Sequence, residues 1–240
     1  MRKLLLLVIV VSFTHAANAQ DAAPSKVAAI VNRSGDHFMI QIAQNSWQGA
    51  PDSISNRINS FNRSANVYLM LNKGFKNNKR FSIGLGVGVG TSNIYFKKTN
   101  VDISSSAPLL KFINADSINN YKKYKLSNLY AEVPLELRFT SNPELPKKAI
   151  RAAIGVKVGT LLNAHTKGKN LQGPTGNLIS SATEKSASKS YFNTTRIVAT
   201  ARVGYGLFSL FGAYNLTPMF KNGVAADIKL LQIGLTISGL

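Results

Sequence analysis

Hydrophobic side chains in this chain recur at every second position, in one segment after another, and no other feature restricts its fold as strongly. In FSIGLGVGVGTSNIYF, Phe81–Phe96, glycine stands at Gly84, Gly86, Gly88 and Gly90, with Leu85, Val87 and Val89 between. A dinucleotide-binding glycine loop needs unequal spacing and a helix directly behind it, so this stretch is no phosphate cradle. A period of two belongs to a β-strand, whose successive side chains point to opposite faces. One face of this strand is aliphatic and the other is bare.

The same period marks residues 38–44 (Phe38, Ile40, Ile42), 66–72 (Val67, Leu69, Leu71), 129–139, 152–162 (Ile154, Val156, Val158), 196–206 (Ile197, Ala199, Ala201, Val203) and 231–238. Residues 208–216 are apolar on both faces, which leaves that strand's orientation open. No segment carries a convincing helical period, so the chain reads as all-β with eight strands. The connections alternate in length. Residues 45–60, 97–126, 163–192 and 217–226 are the longer ones; 73–80, 140–148 and the turn around Gly206 are short. In an up-and-down barrel, alternate connections lie at the same end. The expected fold is therefore an eight-stranded antiparallel up-and-down transmembrane β-barrel. Its long loops lie at one end, its short turns and both termini at the other, the asymmetry of outer-membrane barrels.

The first residues, MRKLLLLVIVVSFTHAANAQ, set Arg2 and Lys3 before an apolar run from Leu4 to Phe13 and a small-residue site at Ala17-Asn18-Ala19. That is a secretory signal peptide, with an apolar part too short to span a bilayer. The expected organisation is a removed signal at 1–19, a short periplasmic segment at 20–37 and the outer-membrane barrel domain at 38–240. Past the signal no apolar run approaches the roughly 20 residues of a spanning helix, so any crossing is made by strands. The chain has no cysteine, which excludes a disulfide framework and a lipid-attachment site. Lys and Arg number 29 against 10 Asp and Glu, a formal charge of +19. Such a balance calls for an acidic partner. Export and the lack of any nucleic-acid-binding motif turn that expectation away from nucleic acid and toward an anionic surface.

The polar faces carry the next inference. Glu132, Glu136, Arg138, Lys157, Arg196 and Arg202 all stand opposite the aliphatic row of their strand. In a membrane barrel the aliphatic row meets lipid, and these residues form a charge network in the lumen. In a soluble barrel they are ordinary solvated charges. On the membrane reading Gly84, Gly86, Gly88 and Gly90 form a bare stripe on the lumen wall, leaving room for long side chains. An eight-stranded barrel is only wide enough to be filled by side chains, so a salt-bridged plug is expected rather than a porin-like open channel. Phe81, Phe139 and Tyr205 at one end, with Tyr95, Phe96, Tyr191 and Phe192 at the other, suggest two aromatic girdles. Trp47 is expected to anchor the rim at the interface. Lys97, Lys98, Lys111, Lys122, Lys123, Lys125, Lys167, Lys169, Lys185 and Lys189 fall in the long loops, where they either contact phosphates of an outer-leaflet glycolipid or are simply solvated. Gly168, Gly173 and Gly176, with Ser180, Ser181, Ser186 and Ser188, describe a flexible loop.

Five stretches resemble the small outer-membrane β-barrel family that includes PorT-like proteins of gliding and secretion systems. They are WQGAPDSI (Trp47–Ile54), GLGVGVGTSNIYF (Gly84–Phe96), AEVPLELRF (Ala131–Phe139), GVKVGTLLNAHTK (Gly155–Lys167) and GYGLFSLFGAYNLTPMFKNG (Gly204–Gly223). The similarity runs from about Phe38 to the C-terminus. It implies an eight-stranded barrel in the outer membrane of a Gram-negative cell and carries over no catalytic or ligand-binding residue. One departure is the end of the chain, ISGL, where such barrels commonly finish on an aromatic residue; Leu240 is also out of phase with Leu231 to Ile237.

Signs of catalysis are thin. Past the signal the histidines are His37 and His165, and the stretch around His165, NAHTKGKN, supplies Thr166 and no acid. A rim catalyst would need a nucleophile or carboxylate within hydrogen-bond reach, for which Asp102, Asp116 or Glu184 would have to approach in space. Two scattered histidines make no metal-ligand spacing. The expectation is a monomeric, non-enzymatic barrel without cofactor, catalytic residue or metal, with a structural or adhesive role or one accessory to a surface or secretion machine. Its expected partners are outer-membrane lipid, the anionic glycolipid, the barrel-insertion machinery and an envelope protein. The alternatives are an outer-membrane lipid-modifying enzyme using His165 and a soluble periplasmic barrel that binds an apolar ligand.

Overall fold

Each of the seven alternating segments and the apolar segment at 208–216 is a strand, and the strands close on themselves. In the computed structural model, residues 38–145 and 148–239 are described. The expected signal peptide, the segment at 20–37, His37 and the terminal Leu240 lie outside the described residues. The barrel strands are β1 Phe38–Gln48, β2 Arg63–Gly74, β3 Phe81–Phe96, β6 Asn120–Thr140, β7 Ile150–Gln172, β9 Thr195–Tyr205, β10 Phe208–Asn215 and β11 Lys229–Ser238. They pair in chain order, β1-β2-β3-β6-β7-β9-β10-β11, and β11 returns to β1 through a ladder from Met39↔Ser238 to Gln48↔Lys229. Every pairing in the ring is antiparallel. Closure removes the sheet edges, so the backbone groups of the wall are satisfied within it.

The short connections, with 75–80, 141–145, 148–149 and 206–207 described, lie at one end. The tightest joins Tyr205 to Phe208, with Gly206 at a φ of +58° that a side chain would oppose. At the same end Phe38, Phe75, Phe81, Tyr205 and Phe208 are exposed. Phe81 pairs across the ladder with Phe139, their ring centroids 5.3 Å apart. One aromatic girdle is therefore present. Pro134 sits in the middle of β6 and has no N–H to give. The β3–β6 ladder runs from Leu85↔Leu135 to Gly88↔Glu132 with no partners between, while the ladder to β7 continues through Pro134↔Lys157.

The long-loop end differs from its sequence reading. Half of residues 97–126 and most of 163–192 are strand: β6 starts at Asn120, β7 runs on to Gln172, and β8 Leu178–Ala187 folds back along it. The Gly/Ser-rich stretch expected to be a flexible loop is this β7–β8 hairpin. A separate ribbon, β4 Thr99–Asp102 with β5 Lys111–Asn114, and one helical turn, α1 Asp52–Ser55, complete the loops.

Polarity along the long strands explains the difference. In the lower part of β6, Val133, Leu135 and Leu137 point outward while Glu132, Glu136 and Arg138 are buried. Further up the pattern inverts: Tyr124 and Leu126 are buried and Lys123 is exposed. Strand β3 does the same, from Ile83, Leu85, Val87 and Val89 outside to Ile94 and Phe96 inside. Below the inversion the barrel is apolar outside; above it, it is built like a soluble protein. A bulge marks the boundary, where Leu129 pairs with Asn163 and Tyr130 with Leu161, leaving Leu162 extra on β7.

Candidate functional site

The lumen is built from residues that alternation turns inward. Glu132 accepts hydrogen bonds at Oε1 from Arg196 Nε (3.0 Å) and Nη2 (2.7 Å), and at Oε2 from the Tyr68 hydroxyl (2.6 Å). Lys157 Nζ stands 3.8 Å from the same Oε2 and donates to Tyr68 Oη at 3.1 Å. The Arg196 guanidinium also lies 3.7 Å above the centre of the Tyr130 ring. One turn of the pleat away, Glu136 Oε2 takes Arg138 Nε (2.9 Å) and Arg202 Nη2 (3.0 Å). All six predicted charges are buried, Glu132 at 2% exposure and Arg202 at 7%. The structure brings them into two clusters, each on one carboxylate.

The glycines sit where these clusters need room. Glu132 is flanked across the ladders by Gly88 and Gly159, and Glu136 by Gly84 and Gly155. A Cβ on Gly84 would come within 2.5 Å of Arg138 Nε, and one on Gly90 would run into the Glu132 carboxylate. Gly86 and Gly88 serve a different purpose: a Cβ there would strike Met70 and the Leu69 carbonyl, or the Val67 carbonyl and Tyr68, all on β2. Half of the stripe makes space for charge, and half lets two strands approach closely.

Strand β10, undecided by sequence, turns Ser209, Phe211, Ala213 and Asn215 inward and Phe208, Leu210 and Tyr214 outward. Above the charges the interior becomes apolar. Trp47, Ile94, Phe96, Leu126, Tyr130, Leu161, Tyr191, Phe192, Phe220 and Leu230 form one buried cluster, joined by loop residues such as Val101, Ile103 and Leu110. Trp47 meets Phe96 and Phe220 edge-on at 5.6 and 5.9 Å. Trp47 is thus no interfacial anchor; it is the centre of a folded cap that plugs the long-loop end. For the same reason Phe96, Tyr191 and Phe192 form no second girdle. They are 3%, 4% and 0% exposed because they pack against loops rather than lipid.

The outer wall of this cap holds a feature that sequence spacing could not show. Cross-strand register places Lys125 opposite Lys167 and Lys167 opposite Lys185, a direct row of three lysines over β6, β7 and β8. Lys123 faces Lys169 in the neighbouring row of the same face. None of these lysines is in ion-pair range of a carboxylate among the described residues. Like charges directly opposite on a sheet repel. Burial, then Lys167 and Arg63, hold the Lys125 ammonium below its ordinary pKa. His165 belongs to this face. The extra residue at Leu162 shifts the parity of β7, so His165 joins the lysine side instead of the lumen. Its Nδ1 lies 2.7 Å from Asn163 Oδ1, and burial followed by Lys185, Lys125 and Lys167 pushes its pKa down. Asp102, Asp116 and Glu184 make no contact with it; Asp116 pairs with Arg57 at 2.6 Å and Glu184 with Tyr121.

An aliphatic belt on the outside, with Ile42, Leu85, Leu135, Ile154 and Leu235 exposed, encloses a lumen of paired charges. A soluble barrel is the reverse, so fold and faces together define a transmembrane β-barrel. The chain belongs to the outer membrane protein beta-barrel domain family, whose model matches residues 18–221, and its place is the outer membrane. No curated protein matches the sequence. Similar solved structures include two of Ail, the attachment invasion locus protein of Yersinia pestis. The first has 11% identity and a TM-score of 0.36, and covers 84% of this chain and 94% of that one. The second, in complex with the heparin analogue sucrose octasulfate, has 12% identity and a TM-score of 0.34 over the same shares. Likeness this distant carries no residue roles across.

Proposed function

We propose that this outer-membrane barrel is a non-enzymatic, side-chain-filled support for its folded extracellular cap, and that the cap is held against the outer leaflet by anionic glycolipid. The role is structural or adhesive, or accessory to a surface machine. The observation that carries the reading is the lysine row Lys125–Lys167–Lys185. Lys125 lies four positions above Leu129, where the apolar outer face ends. At ~3.3 Å per residue, less the tilt of a barrel strand, that is about 10 Å above the hydrocarbon, just past the headgroup layer and within reach of its phosphates for a long lysine side chain. A like-charged row without acidic partners is relieved by phosphate, and each such ammonium near an anionic surface contributes ~1 kcal/mol. The paired lumen charges and aromatic plug support a closed barrel, and His165, surrounded by lysines, lacks the carboxylate a general base would need.

The test replaces Lys125, Lys167 and Lys185 by serine in the full-length barrel and measures binding of purified outer-leaflet glycolipid in mixed micelles at two salt concentrations. Folding is checked by heat-modifiable gel mobility. The expected result is a folded barrel whose affinity falls at least about tenfold and depends less on salt. Unchanged affinity in the folded variant refutes the reading.

A further inference from the structure

Opposite the lysines, the inner face of the same three-stranded sheet lines a cavity of about 150 Å³ beneath the β4 ribbon. Its floor is Gly168, which lies between Tyr124 of β6 and Glu184 of β8 in cross-strand register. The floor must be bare, because a Cβ on Gly168 would come within 2.6 Å of the Tyr121 ring. That ring stacks on Tyr124 (centroids 5.6 Å apart, 18° between planes), and its hydroxyl reaches over Gly168 to donate to Glu184 Oε2 at 2.6 Å. Burial and Glu184 push the Tyr121 phenol up to about 12, so it remains a hydrogen-bond donor at any physiological pH. Tyr124 pins the roof through Val101, donating to its carbonyl and accepting from its N–H, both at 3.0 Å.

The polar groups around the cavity are incompletely used. Asp102 Oδ1 accepts the backbone N–H groups of Ser104 and Ser105, and Glu184 Oε2 accepts from Tyr121. The second oxygen of each has no hydrogen-bond partner among the described residues. Asn100 Oδ1 is buried with no hydrogen-bond partner among the described residues. Three acceptors therefore face one small space: Asn100 Oδ1, which is buried, and the second carboxylate oxygens of half-buried Asp102 and exposed Glu184 at its open side; a buried acceptor is normally satisfied.

We infer that this cavity binds a single neutral pyranose ring. Its volume equals about five waters, which takes most of one pyranose ring with the remainder at the open side lined by exposed Glu184 and Ser186, and is too little for an acyl chain or a peptide segment. Aromatic rings beside hydroxyl-seeking carboxylates and an amide are the mixed lining a sugar requires, whose ring is apolar on its faces and polar at its edge. An anion would be repelled by Asp102 and Glu184. A cation would meet the positive field of Lys167, Lys169 and Lys185 on the other side of the sheet. A hydroxyl-rich neutral ligand suits both. This site is separate from the lysine wall and does not depend on it.

The test uses the full chain folded in a sugar-free amine-oxide detergent, titrated with the methyl glycosides of glucose, galactose, mannose and N-acetylglucosamine and read by saturation-transfer NMR. One glycoside is expected to bind with a Kd of about 1 mM, the range of a single small ligand. Glu184→Gln and Asp102→Asn should each weaken it at least tenfold, while the Lys125/Lys167/Lys185→Ser variant binds it as before. Displacement by purified glycolipid identifies the lipid's own sugars as the source, and lack of displacement identifies a free or surface glycan; either supports the site. Absence of transfer from all four glycosides at about ten times that concentration, or transfer unchanged in both folded carboxylate variants, overturns it.

Discussion

Replacing Glu132 by Gln should cost the barrel about 3 kcal/mol. Glu132 serves Arg196 through two donors and Tyr68 through one, with Lys157 at 3.8 Å, and it is 2% exposed. At an effective dielectric of about 20, the Lys157 attraction alone is worth ~4 kcal/mol before desolvation, and much of that is offset by taking the charges out of water. What a substitution exposes is a different quantity: two cations left buried against a neutral amide. Removing one partner of a buried ion pair costs about 3 to 5 kcal/mol. Gln keeps the volume and one accepting oxygen, which places it at the low end. The assay is guanidinium unfolding of the barrel in phospholipid vesicles, followed by cold-gel mobility for the wall and by fluorescence for the cap, where Trp47 is the chain's single tryptophan. Adding Lys157→Met to Glu132→Gln should recover at least about 1 kcal/mol relative to the sum of the single changes, because one uncompensated charge disappears with its partner. A loss below about 1 kcal/mol for Glu132→Gln, or strict additivity in the pair, would refute the picture of a desolvated cluster and point to charges bathed in lumen water.

Gly88→Leu should abolish the heat-modifiable folded band, because its side chain would enter the Val67 carbonyl and Tyr68; normal assembly of that variant would sink the close-approach account. Trp47→Ala should cost the cap about 3 to 5 kcal/mol by cavity formation, yet leave the wall's mobility unchanged. Trp47→Phe should cost much less, since the indole Nε1 is buried without a hydrogen-bond partner among the described residues; hydrogen exchange of the cap amides measures both. His165 has a folded pKa below its usual value of about 6.5, so the folded state binds fewer protons than the unfolded chain in that window. Stability of the β7–β8 hairpin should therefore be full above about pH 6.5 and decline as pH falls toward the depressed folded value, and His165→Gln should flatten that decline; equal slopes in both proteins would count against it.

The signals that were legible are local ones. Period-two alternation placed seven of the eight barrel strands and an apolar run placed the other, and parity within a strand put Glu132, Glu136 and Arg138 opposite the aliphatic row. Those readings work because the pleat is a property of neighbouring residues. The cap was misread for a physical reason. Above the membrane the outer face is polar, so strands β6 and β7 lose the aliphatic row that made them visible, and their lysines, serines and glycines look like loop. The bulge at Leu162 was equally hidden, and it alone decides which side of β7 carries His165.

By itself, then, the amino-acid order determined the barrel strands, their up-and-down succession and the two-sidedness of each but β10. Tertiary structure decided what those sides face and which residues meet. Closure of the ring sets the register between strands, and register is what lines up Lys125, Lys167 and Lys185 and seats each inward glutamate between glycines. Loops distant in sequence find a common apolar interior only around Trp47, where the barrel end leaves one to be filled. Contacts of this kind depend on how far one strand is offset from another, a quantity that no single segment contains.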